Sequence, residues 1–223
     1  MTRDELLKRL ESGIMSEKEE VELLKLLESE RKEEALQDYS IFAEEYIKIT
    51  DKKGNQVPFI HNDIQKQINA KVKELHANGK PVRIIILKAR QHGGSTNEQG
   101  RMLYNTTTKA NRTGLIVAHK ANVTAKIFEK AKYMYNNLPA NIKPLQRASN
   151  ATELVFDRPT GYKGKGKGLN SKISIQTAGD VSIGRGDTIF YAHLSEFAFW
   201  EGPEGKETKK QLAGISQCNG EDI

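Results

Sequence analysis

The segment that most constrains the fold runs from residue 81 to residue 96. Ile84, Ile85, Ile86 and Leu87 form an unbroken aliphatic run, and shortly after it the chain reaches Gly93, Gly94, Ser95 and Thr96. A β-branched run of this kind predicts a strand buried on both faces, and the residues from about Thr96 predict a helix. A glycine turn between a buried strand and a helix is an anion site by construction. Free backbone N–H groups converge there, and the helix dipole adds its positive end. Gly93 and Gly94 let the backbone approach a phosphate, and Ser95 is placed to offer a hydroxyl to Mg²⁺. The standard phosphate-loop pattern, G-x-x-x-x-G-K-[ST], is not met. With Gly93 and Ser95 aligned to it, Gly94 occupies the lysine position, and the first glycine becomes Lys88 or Ala89. Lys88 and Arg90 at the loop entrance are the candidate replacements for the missing charge. A purely structural tight turn is the competing reading.

The rest of the chain sets this segment in an α/β context. Residues 3–46 read as helices broken at Ser12–Gly13, with Ser16 and Glu19 spaced as a capping box. This gives an N-terminal helical segment over 1–48 and a core over 49–223. In the core, Asp51 to Asn55 reads as a turn, Gln56 to Phe59 as an extended piece and Asn62 to Ala77 as a helix. Gly114 to Ala118 reads as a buried strand and Asn122 to Leu138 as a helix. Glu153 to Phe156, Lys172 to Thr177 and Thr188 to Leu194 read as further strands. Buried strands alternating with helices imply a layered domain with a mainly parallel sheet flanked by helices.

A second chemical signal follows the last strand. Ser195 and Glu196 stand at its end, where a nucleotide hydrolase keeps a polar residue for Mg²⁺ and a carboxylate to polarise water. Ser195 stands where aspartate is usual, so the metal would be held weakly or through water. Upstream, Arg185 between Gly184 and Gly186 is free to reach, as expected of an arginine finger. Lys163, Lys165 and Lys167 alternate with glycine, a pattern able to follow phosphates without reading bases. A solvated hairpin tip explains the same three lysines equally well.

Composition excludes several classes. With 37% hydrophobic and 29% charged residues, the chain reads as globular, and no apolar run approaches the ~18–20 residues of a membrane helix. One cysteine, Cys218, permits no internal disulfide. The histidines lack metal-ligand spacing, and structural zinc is not expected. The net charge of +6 conceals an acidic excess before residue 48 and a basic excess after it. Nucleic acid is the first candidate partner for such a body.

Taken together, these residues resemble the ATPase domain of the large terminase subunits of tailed bacteriophages, over residues from about 40 to the end. Lys88-Ala89-Arg90-Gln91-His92-Gly93-Gly94-Ser95-Thr96 resembles the family's deviant, arginine-rich Walker A. His193-Leu194-Ser195-Glu196, followed by Phe197-Ala198-Phe199-Trp200, resembles its Walker B. Pro58-Phe59 with Asn62 and Gln65 resembles the segment whose glutamine recognises adenine. Leu115 to Ala131 resembles the motif, near His119 and Lys120, that couples nucleotide state to DNA.

The resemblance implies a P-loop NTPase fold of the RecA-like class and ATP with Mg²⁺ as cofactors. It assigns ATP contacts to Gln65, Lys88, Arg90, Gln91, His92, Gly93, Gly94, Ser95 and Thr96. Mg²⁺ falls to Ser95 and Ser195, water activation to Glu196, and a finger entering a neighbouring subunit to Arg185. Implied partners are double-stranded DNA, the portal protein, the small terminase subunit and copies of the chain in a ring, with no membrane. The implied location is the host cytoplasm at the procapsid portal, and not the mature virion. The chain ends before the family's coupling motif and nuclease domain, so it is expected to be a piece of a longer protein that does not itself cut DNA. Two other classes stay open. One is a helicase-like translocase, which would usually keep Gly-Lys-Thr and Asp-Glu. The other is a non-catalytic assembly module with a degenerate site.

Overall fold

The computed structural model describes residues 2–88, 92–164, 168–178 and 188–200, together with 208, 209, 212, 213 and 215. The chain divides into two compact units, residues 1–42 and 43–223.

In the first unit, helices α1 (Arg3–Glu11) and α2 (Glu17–Gln37) each open with a reciprocal capping box, Thr2 with Glu5 and Ser16 with Glu19. Each box satisfies two of the backbone donors that a helix start leaves unpaired. Ser12 caps the end of α1, and Gly13 follows at φ +69°, a conformation that favours glycine. Arg3 pairs with Glu30 and Arg9 with Glu19, both at 3.1 Å. The start of α1 thus lies beside the later turns of α2, and its end beside the beginning of α2, an antiparallel helix pair with Leu6 and Leu23 buried. Helix α3 (Tyr39–Tyr46) runs across the point where the units divide.

The second unit opens with a small antiparallel hairpin, β1 (Lys48–Thr50) and β2 (Gln56–Pro58). The Asp51 carboxylate closes it by accepting the backbone N–H groups of Lys53 and Asn55, each at 2.8 Å. The order then runs α4 (Asp63–Ala77), α5 (Gly94–Thr108), β3 (Thr113–Ala118), α6 (Ala121–Asn136), β4 (Ala148–Ser149), β5 (Glu153–Phe156), β6 (Ser171–Thr177) and β7 (Tyr191–Ser195). A 3₁₀ turn follows at Phe197–Phe199.

The five-stranded sheet has the order β4-β5-β6-β3-β7. β6, β3 and β7 are parallel, whereas β4-β5-β6 is antiparallel. The sheet is therefore mixed, with the parallel pairings β6-β3-β7 its larger part. The strands that return through loops run antiparallel, and those joined through longer crossovers run parallel.

β3 lies between β6 and β7, and its alternate residues settle which face is which. Leu115 and Val117 cluster with Ile189, Trp200 and Ile215, with Ala192 and Leu194 packed against them. The residues between point the other way, towards α5. A Cβ added at Gly114 would meet Met102 Cγ at 2.7 Å, so only glycine lets α5 approach this closely.

Two strand expectations are corrected. Arg83 to Leu87 is not hydrogen-bonded into a sheet, and Ile85 and Leu87 are 99% and 100% exposed. Ile84 and Ile86 are partly covered, so the segment keeps the alternation of a strand while no neighbour pairs with it among the described residues. The run from Thr188 becomes a continuous strand at Tyr191, after a bridge at Ile189 and a bond from the Phe190 N–H to the Thr113 carbonyl, and most of that strand is half-buried. It is the last strand in the order of the described sheet.

Candidate functional site

The glycine turn is held by two helices. Gly93 is the residue before α5 and adopts φ +70°. A Cβ at Gly93 would also stand 2.6 Å from Gln65 Nε2, so both conformation and space require glycine there. Gln65 is buried and forms a capping box with Asn62 at the start of α4. Its Oε1 accepts the Asn62 N–H at 2.9 Å, and Asn62 Oδ1 accepts the Gln65 N–H at 3.0 Å. Gln65 Nε2 donates to the Gly93 carbonyl at 3.0 Å, and Asn62 Nδ2 donates to the His92 carbonyl at 3.3 Å. The residues read as an adenine-recognition segment thus brace the glycine turn.

Gly94 begins α5 and is buried, while Ser95 and Thr96 are partly exposed in its first turn. This leaves the first N–H groups of α5 without a side-chain cap. The Lys88 stem runs across Gly94, where an added Cβ would meet Lys88 Cε at 2.7 Å and Nζ at 3.8 Å. The Lys88 stem therefore takes up the space that a side chain at position 94 would enter.

The second half of the site is built at the strand ends. Ala118 at the end of β3 pairs in register with Ser195 at the end of β7, so the next residues, His119 and Glu196, emerge side by side. His119 Nδ1 lies 3.0 Å from Glu196 Oε2, a close contact that lacks hydrogen-bond alignment. The His119 ring leans on Phe199, with ring centroids 5.8 Å apart. Glu196 has φ +54°, a left-handed conformation that costs a non-glycine residue about 1–2 kcal/mol. Strain of this kind concentrates at sites where side-chain direction matters. Trp200 Nε1 donates to the Ser195 carbonyl at 3.1 Å and fixes the turn.

α5 lies against the opposite face of β7 from Trp200. Tyr191 hydrogen-bonds Glu98, and Gln99 Nε2 donates to His193 Nδ1 at 2.8 Å. Strand alternation puts Ser195 on the same face as Tyr191 and His193, towards α5. A buried polar network extends from these contacts. Asn97 Nδ2 donates to Glu98 Oε1 at 3.1 Å and to Asn69 Oδ1 at 3.0 Å, and Arg101 also reaches Asn69. Loop-bracing α4, the glycine-led helix α5 and strand β7 are thereby joined by polar contacts. Desolvation holds the buried His193 below the ordinary histidine range. Glu98 opposes this, while Lys88 and Lys130 reinforce it.

Sequence reading missed His119 as the partner of Glu196, the Glu98–Arg101–Asn69 network and Lys130, whose Nζ donates to Thr96 Oγ1 at 3.3 Å. Strand order would have revealed the first, since parallel neighbours in register bring their following residues together. Arg90, Gln91, Lys165, Lys167 and Arg185 lie outside the described residues. Lys163 is exposed on its loop.

The fold has counterparts among solved structures. The crystal structure of the HK97 bacteriophage large terminase matches over 82% of this chain with a TM-score of 0.62 at 17% identity. The chain has the fold of a phage large terminase. It spans 35% of that protein's length. The Thermus phage P74-26 large terminase ATPase domain aligns with a TM-score of 0.46 at 18% identity, over 65% of this chain and 64% of that one. No family model and no curated protein matches the sequence. Among the described residues, no helix is long and apolar enough to cross a membrane.

Proposed function

We propose that this chain is the ATPase motor domain of a phage terminase large subunit, hydrolysing ATP to drive double-stranded DNA into a procapsid. The observation that carries the reading is Glu196. It is a strained carboxylate at the end of a parallel strand, held beside His119 and following Ser195, on the strand that packs against the glycine-led helix α5. In this reading the N–H groups of Gly93, Gly94 and Ser95 receive the phosphates, and Lys88 or Arg90 supplies the charge missing at position 94. Glu196 accepts a proton from the attacking water and orients it, and His119 sets the direction of the carboxylate.

Mg²⁺ would neutralise phosphate oxygens. Ser95 and Ser195 are neutral oxygen donors, and they fit an ion held mainly by nucleotide and water. Arg185 would complete a neighbouring subunit's site within a ring assembled on the portal, with the small subunit delivering DNA. Lys163, Lys165 and Lys167 would follow the DNA backbone. An adenine contact by Gln65 requires its amide to be shared with Gly93.

Equilibrium binding of a fluorescent ATP analogue with Mg²⁺ tests the site. The expected result is saturable binding competed by ATP more strongly than by GTP, and weakened at least ~10-fold by alanine at Lys88 or Arg90. A folded chain that binds no ATP at millimolar concentration would overturn the reading in favour of a degenerate assembly module.

A further inference from the structure

We infer that Lys130 of α6 is a second phosphate-binding lysine of this site, partnering Lys88 across the first turn of α5. The inference rests on the reading of that turn as the nucleotide phosphate site. Lys88 comes from the segment before the loop and lays its stem over Gly94, within 3.8 Å of where a Cβ would stand. Lys130 comes from a different helix and brings its ammonium to within 3.3 Å of Thr96 Oγ1. Two cations from separate elements thus converge on Gly94 and Thr96, which belong to the same helical turn.

The convergence is unfavourable unless an anion joins it. The start of α5 already presents the positive end of a helix dipole, where a cation is disfavoured. Burial of the ammonium lowers the Lys130 pKa, and the charge of Lys88 lowers it further. Taken as a whole residue, Lys130 is nevertheless exposed. Among the described residues no carboxylate pairs with Lys88 or Lys130. Glu98, in the next turn of α5, is already engaged by Tyr191, Asn97 and Arg101. A polyphosphate supplies the missing negative charge and several acceptor oxygens at once, and it relieves the repulsion between the two lysines.

The same placement gives Lys130 a position that a standard phosphate-loop lysine lacks. α6 starts immediately after His119, the residue beside Glu196. A phosphate that draws Lys130 therefore engages the helix that continues from the partner of the proposed base.

The test measures binding of ATP, inorganic pyrophosphate and adenosine to the chain carrying Lys130→Ala, Lys130→Arg or Lys126→Ala. Lys126 is an exposed lysine one turn earlier on α6 and serves as the control. Lys130→Ala should weaken ATP and pyrophosphate by roughly 10-fold and leave adenosine unchanged. Lys130→Arg should restore much of the loss, and Lys126→Ala should stay within about 2-fold of the unmodified chain. Unchanged melting temperatures would show that the fold is intact. ATP and pyrophosphate binding by Lys130→Ala within about 2-fold of an unmodified chain that binds both would overturn the inference and leave the site reading standing. Failure of the unmodified chain to bind either ligand would overturn both.

Discussion

Gly93 and Gly94 are adjacent, yet they should respond to alanine in opposite ways. At Gly94 the backbone is helical, and the added methyl meets the Lys88 stem at 2.7 Å, which a flexible side chain can relieve by turning aside. Alanine also gains helix propensity, up to about 1 kcal/mol in a helix interior and less in a first turn. Gly94→Ala should therefore change stability by no more than about 1 kcal/mol in either direction. At Gly93 the φ of +70° costs alanine about 1–2 kcal/mol. Its methyl would also stand 2.6 Å from Gln65 Nε2. Moving Gln65 gives up its hydrogen bond to the Gly93 carbonyl, about 1 kcal/mol, and disturbs the Asn62–Gln65 cap, about another 1 kcal/mol. The total is about 3–4 kcal/mol, a fall of roughly 6–16 °C in melting temperature for a chain of this size.

Urea unfolding and thermal melts of the two variants measure the difference. A double-mutant cycle isolates the contact. In a Gln65→Ala background the collision is gone, and Gly93→Ala should cost about 1–2 kcal/mol less than it does alone. A Gly93→Ala variant within about 0.5 kcal/mol of the unmodified chain, or a cycle with no coupling, would refute the account of the glycine turn.

Three further outcomes are expected. Because the folded pKa of His193 is depressed, the unfolded chain takes up a proton first as pH falls through about 6.5. Stability is then full above that pH and declines below it by up to about 1.4 kcal/mol per pH unit per histidine, with the depressed His61 acting in the same sense. Urea unfolding at pH 5.5 and 7.5 should show the decline, and His193→Gln should reduce it. His119→Ala should leave ATP affinity within about 2-fold and lower turnover roughly 10-fold, since it frees Glu196 without removing it; equal losses of binding and turnover would exclude a positioning role. Arg185→Ala subunits mixed with Glu196→Gln subunits should recover partial activity if the arginine acts across an interface, and no recovery in proven mixed rings would exclude that.

Local features of the fold were legible because their causes are local. The Ser16–Glu19 box, the Asp51 turn and the boundaries of β3, α6 and β5 follow from spacing and side-chain chemistry within a few residues. The aliphatic run at Ile84 to Leu87 misled because burial belongs to the neighbours of a strand, and the described sheet provides none for it. Gln65 shows how one spacing can carry two meanings. Asn62-x-x-Gln65 matched an adenine-binding segment, and the same three-residue interval is that of a capping box. The site was legible where residues are close in sequence, at Gly93 to Thr96 and at Ser195–Glu196. His119 with Glu196, Lys130 with Thr96 and Gln99 with His193 were not, because each pair meets only after the strands and helices have been set beside one another.

The most direct test of the central claim is ATP turnover by the ring-assembled motor carrying Glu196→Gln. The substitution keeps the shape of the side chain and removes the base. ATP affinity should stay within a few-fold while the hydrolysis rate falls by roughly 10²-fold or more. Turnover by assembled Glu196→Gln equal to that of the unmodified motor would contradict the assignment of this site as the centre of hydrolysis.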